Sequence, residues 1–109
     1  VCIDRGSDTH EKILEAHRFG ISVLAVDQAG VASRFGVDPS EGRFDGVGWH
    51  VGPSGCPLLK GAAAWLECDL HEVHSGGDHS IILGLVRETG VTDQPSMVYH
   101  EGAFVSVGP

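Results

Sequence analysis

Ser75-Gly76-Gly77-Asp78-His79-Ser80 joins two runs that both read as strands: Lys60 to Val73 upstream, through Ala64-Trp65-Leu66-Glu67-Cys68, and Ser80-Ile81-Ile82-Leu83-Gly84-Leu85-Val86 downstream. Gly76 and Gly77 permit positive φ and close backbone approach, so the chain can reverse tightly between the runs. The reversal presents an acid and an imidazole, Asp78 and His79, at the mouth of a long hairpin. A second hairpin is read near the C-terminus, where Met97 to His100 and Ala103 to Val107 flank Glu101-Gly102.

Outward from these hairpins the chain alternates between strand and short helix. Val1-Cys2-Ile3 reads as the end of a strand. Ser7 or Asp8 caps a helix over residues 8–18, with capping-box spacing between Asp8 and Glu11 and an apolar side of Ile13, Leu14 and Ala16. Ile21 to Val26 is a β-branched core strand, and Gln28 to Phe35 a second short helix stopped by Gly36. From Gly36 to Gly55 glycines, Pro39 and Pro53 predict a long loop with one short strand around Trp49, and Thr89 to Pro95 is turn-rich. Strands dominate, with two helices on the surface.

The 109 residues make one domain, large enough to bury about 65% of its unfolded surface. Hydrophobic residues form 41% of the chain and its mean hydropathy is +0.03, and its apolar runs fall far short of the ~20 residues of a membrane-spanning helix. Fifteen acidic against seven basic residues give a formal charge of −8, a field that repels phosphate backbones, so neither nucleic acid nor membrane is expected as a partner. Cys2, Cys56 and Cys68 are odd in number and without CxxC spacing, which reads as a reduced, cytoplasmic protein.

Several chemistries drop out. Gly52-Pro53-Ser54-Gly55 lacks the closing glycine of a nucleophile elbow, since Cys56 stands there. Gly46-Val47-Gly48 meets Val51 at the last position of a dinucleotide fingerprint. Cys68, His71 and His74 have metal-like spacing, but on an extended strand His71 faces away from the other two, so no metal is assigned. His10 and His17 share a helix face and are read as solvated.

The order of Phe35, Arg43-Phe44, Trp49, Gly55-x-Pro57-Leu58, Gly61-Ala62, Glu67-Cys68, Gly77-Asp78-His79 and Val98-Tyr99-His100-Glu101-Gly102-Ala103-Phe104 resembles the flavin reductase-like split-barrel family. The resemblance runs the length of residues 1–109 and corresponds to the C-terminal two thirds of the usual domain. It implies a mainly β, Greek-key-like FMN-binding split barrel with two short helices, here incomplete and therefore with open edges. It further implies a homodimer that takes FMN or FAD, accepts hydride from NADH or NADPH, and supplies reduced flavin to a flavin-dependent monooxygenase.

By the same resemblance, Ser7 and Thr9 hold the flavin's phosphate side, at a helix start whose amides favour an anion. Ser22 stands on the flavin-facing strand where asparagine is common, Arg43 and Phe44 form the loop near the ring system, and Tyr99 lies on an adjoining strand. Asp78 and His79 contact the nicotinamide, with His79 the residue assigned to catalysis as a positioning group. Two other readings share these residues: a non-catalytic flavin- or tetrapyrrole-binding module, and a structural β-domain that dimerises through its open edge.

Overall fold

The structure, a computed structural model, describes residues 1–37 and 42–106. A four-stranded antiparallel sheet, in the order β1-β6-β5-β2, forms its body. The strands are β1 (Cys2–Asp4), β2 (Arg18–Val23), β5 (Ala64–Gly76) and β6 (His79–Val91). Two small hairpins accompany it, one of β3 (Trp49–Val51) with β4 (Pro57–Leu59), the other of β7 (Met97–His100) with β8 (Ala103–Ser106). Helices α1 (Asp8–Ala16) and α2 (Ala29–Val37) follow β1 and β2. Within the described residues the sheets do not close on one another.

The long hairpin turns where the sequence predicts. Gly76 pairs with His79, leaving Gly77 and Asp78 as the loop, and only Gly77 uses positive φ, at 71°. Both strands run further than their apolar cores suggest. β6 continues to Val91, opposite Ala64, so the stretch read as turn-rich from Thr89 is still ladder for three residues. Irregularities at Glu67/Cys68 and Leu70/Glu72 bend β5, which lets one long strand wrap around a core instead of lying flat. Residues 38–41, inside the predicted loop, and Val107, at the end of the predicted last strand, lie outside the described residues.

Helix α1 is capped by Ser7 and not by Asp8: the Ser7 Oγ accepts the His10 amide at 3.2 Å. It ends two residues early, because His17 turns left-handed (φ 59°) and its amide closes on the Ile13 carbonyl at 2.9 Å. That frees Arg18 to begin β2, three residues ahead of the predicted start. Leu24 to Val26, expected to end that strand, instead hold the β7–β8 hairpin: Met97 N donates to Leu24 O and Val26 N to Pro95 O, both at 3.0 Å. Gln28 is not helical but a clamp, its Oε1 accepting the Ala25 amide and its Nε2 donating to Lys60 O.

Strand alternation gives β2 two roles. Phe19 faces α1 in the core with Ile13, Cys68 and Ile82, flanked by Ile3, Ile21, Leu66 and Leu70. Gly20, Ser22 and Leu24 face the other way, towards α2 and β4. His10 is a correction to the reading of a solvated face: it is only 9% exposed, and its Nε2 lies 2.8 Å from the Oγ of buried Ser80.

Candidate functional site

An apolar cleft of about 240 Å³ opens on the outer face of β2. Its floor is Gly20, Ser22 and Leu24, at the period of two that a strand imposes. Val31 and Phe35, one helical turn apart, supply the α2 wall, Pro57 and Leu59 the β4 wall, and Phe44 the loop side. Phe44 stands edge-on to Phe35 (centroids 5.1 Å, planes at 88°) and tilted to Trp49 (5.6 Å, 61°), so it is held between two aromatic rings, with Trp49 behind it. Smaller than the roughly 300–1,000 Å³ of most ligand pockets, the cleft has room for one ring system. Ser22 is its polar point, with Oγ accepting the Leu59 amide at 3.0 Å.

Glu67 secures the β4 side from beneath. Its carboxylate is fully buried and takes the Ser54 amide on both oxygens (3.0 and 3.1 Å) and the Cys56 amide on Oε2 (2.9 Å). Burial alone would raise its pKa. The two amides, the Cys56 thiol and the charge of Arg18 outweigh that and hold it below the ordinary carboxylate range. Arg18 Nη1 also donates to Ser54 O at 2.6 Å. Gly52 is required by close approach: a Cβ there would meet Glu67 Oε1 at 2.5 Å and Leu58 Cδ1 at 2.7 Å. Cys56 and Cys68 are both raised, first by burial and then by the neighbouring carboxylates Glu67 and Asp69 respectively, so these thiols stay protonated and are poor nucleophiles.

The remaining candidate residues lie elsewhere. Ser7, Thr9, Asp78 and His79 gather where β1 meets the hairpin turn: Asp4 pairs with His79, and the Ser7 amide and hydroxyl both donate to Asp4 O. His79 Nδ1 lies 2.7 Å from Asp78 Oδ1. That hydrogen bond first, and the imidazole's charge second, lower the pKa of Asp78. Asp78 therefore pairs with its neighbour's ring, and in the separate turn after β1 the Gly6 amide is capped by Asp4. Tyr99 is in a third place, 67% exposed on β7 with its ring against Phe104 at 5.2 Å. Arg43 contributes its carbonyl, which accepts from Arg34 Nε at 2.9 Å.

The expected site is thus divided. Ser22 pairs with Trp65, and His79 with Gly76, eleven residues further along β5. At about 3.3 Å per residue a straight strand would put them ~36 Å apart, and the bends in β5 make the span shorter. Sequence reading brought Ser22 and Phe44 to one cleft and Asp78 and His79 to one turn. It missed the burial of Glu67, and with it the partners Arg5, His10 and Ser80 behind the turn. Gly-x-Pro-Leu followed by Glu was a usable signal for Glu67; nothing local marked His10.

Open antiparallel sheets, a long bent hairpin and an apolar cleft on the edge strand β2 define an incomplete split barrel. The chain belongs to the flavin reductase like domain family, whose model matches residues 1–108. It is 37% identical over 102 residues to a flavin reductase of Pseudomonas putida, covering 93% of this chain and 59% of that protein. It is 31% identical over 110 residues to HsaB of Rhodococcus jostii, named as the reductase subunit of a flavin-dependent monooxygenase, covering 99% of this chain and 55% of that one. Among solved structures it superposes on the NADH:FAD oxidoreductase SgcE6 of Streptomyces globisporus with a TM-score of 0.94 and 34% identity, covering 100% of this chain and 68% of that one. The chain therefore spans less than two thirds of the length of the two curated relatives, 59% and 55%.

Proposed function

We propose that this domain is an NAD(P)H:flavin oxidoreductase that uses FMN or FAD and delivers reduced flavin to a partner monooxygenase. The observation that carries the reading is the cleft on β2, whose apolar walls and the rings of Phe35 and Phe44, the latter backed by Trp49, fit a planar ring system. The relatives named as NADH:FAD oxidoreductase and as a monooxygenase's reductase subunit support the same chemistry. A bound flavin supplies that chemistry by accepting hydride from reduced nicotinamide.

The chain's own residues bind, orient and exclude water. Leu24, Val31 and Leu59 dry the cleft, Phe44 abuts the ring with Arg43 beside it in sequence, and the Ser22 hydroxyl can donate to a ring carbonyl. Thr9, in the first turn of α1, presents an amide suited to a phosphate, with Ser7 beside it as the N-cap, its own amide and hydroxyl already given to Asp4 O. Asp78 orients the His79 ring for the nicotinamide, and Tyr99, exposed on β7 apart from both the cleft and the turn, is assigned a cofactor contact. The three free cysteines support a reducing, cytoplasmic setting.

Titration with FMN and FAD followed by NADH tests the reading: saturable flavin binding with NADH consumption is expected, and no binding of either flavin overturns it. A second reading, a flavin-binding module without hydride transfer, is favoured by the distance along β5 between Ser22 and His79; it predicts binding without NADH oxidation. For the reductase, His79→Ala should raise the KM for NADH about tenfold while kcat falls less than about threefold, because a positioning group acts on binding geometry. Equal KM values in steady-state assays would remove His79 from the site.

The domain is further proposed to work as a homodimer. Ile81, Leu83 and Leu85 alternate along β6, all exposed, with Val86 and Val73 exposed on the same hairpin. Such a row of apolar side chains on an open sheet favours self-association. Sedimentation equilibrium should give a dimer at micromolar concentration that Leu85→Asp weakens; a clean monomer would count against it.

A further inference from the structure

We propose that Arg5 is a positioning residue that braces the Gly77-Asp78 turn from outside the hairpin and thereby sets the affinity for reduced nicotinamide. This rests on the reductase reading above. A hairpin tip held only by its own ladder frays readily, since an isolated two-stranded ribbon is marginal in water. Here the tip is gripped by the segment after β1. Arg5 N donates to Asp78 O at 3.1 Å, inside the two-residue loop itself. Its guanidinium then reaches both strands: Nη2 donates to Ser75 Oγ at 2.5 Å and Nε to Ser80 Oγ at 3.4 Å.

Ser75 and Ser80 are paired directly across the ladder, one register step below Gly76 and His79. One planar fork thus spans the hairpin at the step next to the turn, a geometry that the single ammonium of lysine does not reproduce. Ser80 is 4% exposed, and its Oγ is held from the other side by His10 Nε2 of α1 at 2.8 Å. The alternation that turns Ser80 inward turns His79 to the opposite face. Arg5 therefore acts on His79 through the backbone, without touching it. Because β1 leads directly into Ser7 and Thr9, the same brace fixes the nicotinamide-side turn relative to the start of α1.

The test compares Arg5→Ala, Arg5→Lys and Ser75→Ala in the full chain, with NADH varied at saturating FMN or FAD. Hydrogen exchange at the Gly77 to Ser80 amides is followed alongside. Arg5→Ala should raise the KM for NADH about tenfold, with kcat and flavin Kd within about twofold. Ser75→Ala should give about a threefold rise without any change of charge, and Arg5→Lys should fall between wild type and Arg5→Ala. In a His79→Ala background, Arg5→Ala should add nothing further to KM. Exchange at the turn should quicken about tenfold in Arg5→Ala.

Unchanged KM in Ser75→Ala, additive effects with His79→Ala, or a lost flavin affinity in Arg5→Ala would each overturn the brace, the last by making Arg5 a direct cofactor contact. Should Arg5→Ala fail to fold, Ser75→Ala and Arg5→Lys carry the comparison. A wild-type chain that binds flavin but oxidises no NADH overturns the reductase reading and the nicotinamide role together. Exchange at the turn then decides separately whether the brace exists.

Discussion

Glu67→Gln is expected to lower the stability of the domain by about 3 kcal/mol, within the range for removing one partner from a buried charged network. The carboxylate accepts three hydrogen bonds from two backbone amides at full burial. An amide group presents one acceptor and one donor, so a donor would face the Ser54 or Cys56 N–H, and one amide would be left without a partner. The pH dependence fixes the sign. The folded-state pKa of Glu67 is lowered, so its contribution is fully present above the ordinary carboxylate pKa and is lost as pH falls through the folded value. The gap in denaturant midpoint between wild type and Glu67→Gln should be widest at neutral pH and narrow in acid. A gap that is small at pH 7, or that widens in acid, would show that the 52–56 turn does not depend on the charge.

Val31→Trp should lower flavin affinity about 100-fold while shifting Tm by only a few degrees. Val31 lines the cleft from α2 with a side chain that has no polar group, so enlarging it fills space that a ring would occupy without removing a polar partner. In a cleft of about 240 Å³ an indole leaves no room for a second ring system. A hydrophobic replacement on a half-exposed helix face costs little in folding. Fluorescence titration measures the loss, and Val31→Ala, which widens the cleft, provides the contrast with an affinity within about threefold of wild type. Retained affinity in Val31→Trp would move the flavin out of the β2 cleft.

What the sequence made legible were features whose causes are local. The Gly76-Gly77 turn, the strand that follows it from Ser80 and the C-terminal hairpin turn at Glu101-Gly102 each depend on neighbouring residues, and each stands where it was read. The start of β2 was misplaced because Arg18-Phe19-Gly20 carries weak strand preference. It is extended because His17 stops α1 and β5 offers a ladder, and neither is visible in those three residues. His10 looked solvated because its partner, Ser80, is seventy residues away. Ser22 and Phe44 were placed together through their order among family motifs, whereas their separation from His79 depends on the length and bending of β5.

The pairing of β1 with β6 has a consequence for the order of assembly. The β5–β6 hairpin closes a two-residue loop, but Asp4 and His79 close one of more than seventy residues, at an entropic cost of about 4 kcal/mol by the logarithmic loop law. Three strand residues repay little of it until α1 has packed Ile13 against Phe19 and Ile82. Contacts of such sequence separation form late and open early. The hairpin can therefore form before the segment that steadies its tip has docked, and ligand competence depends on both, not on the hairpin alone.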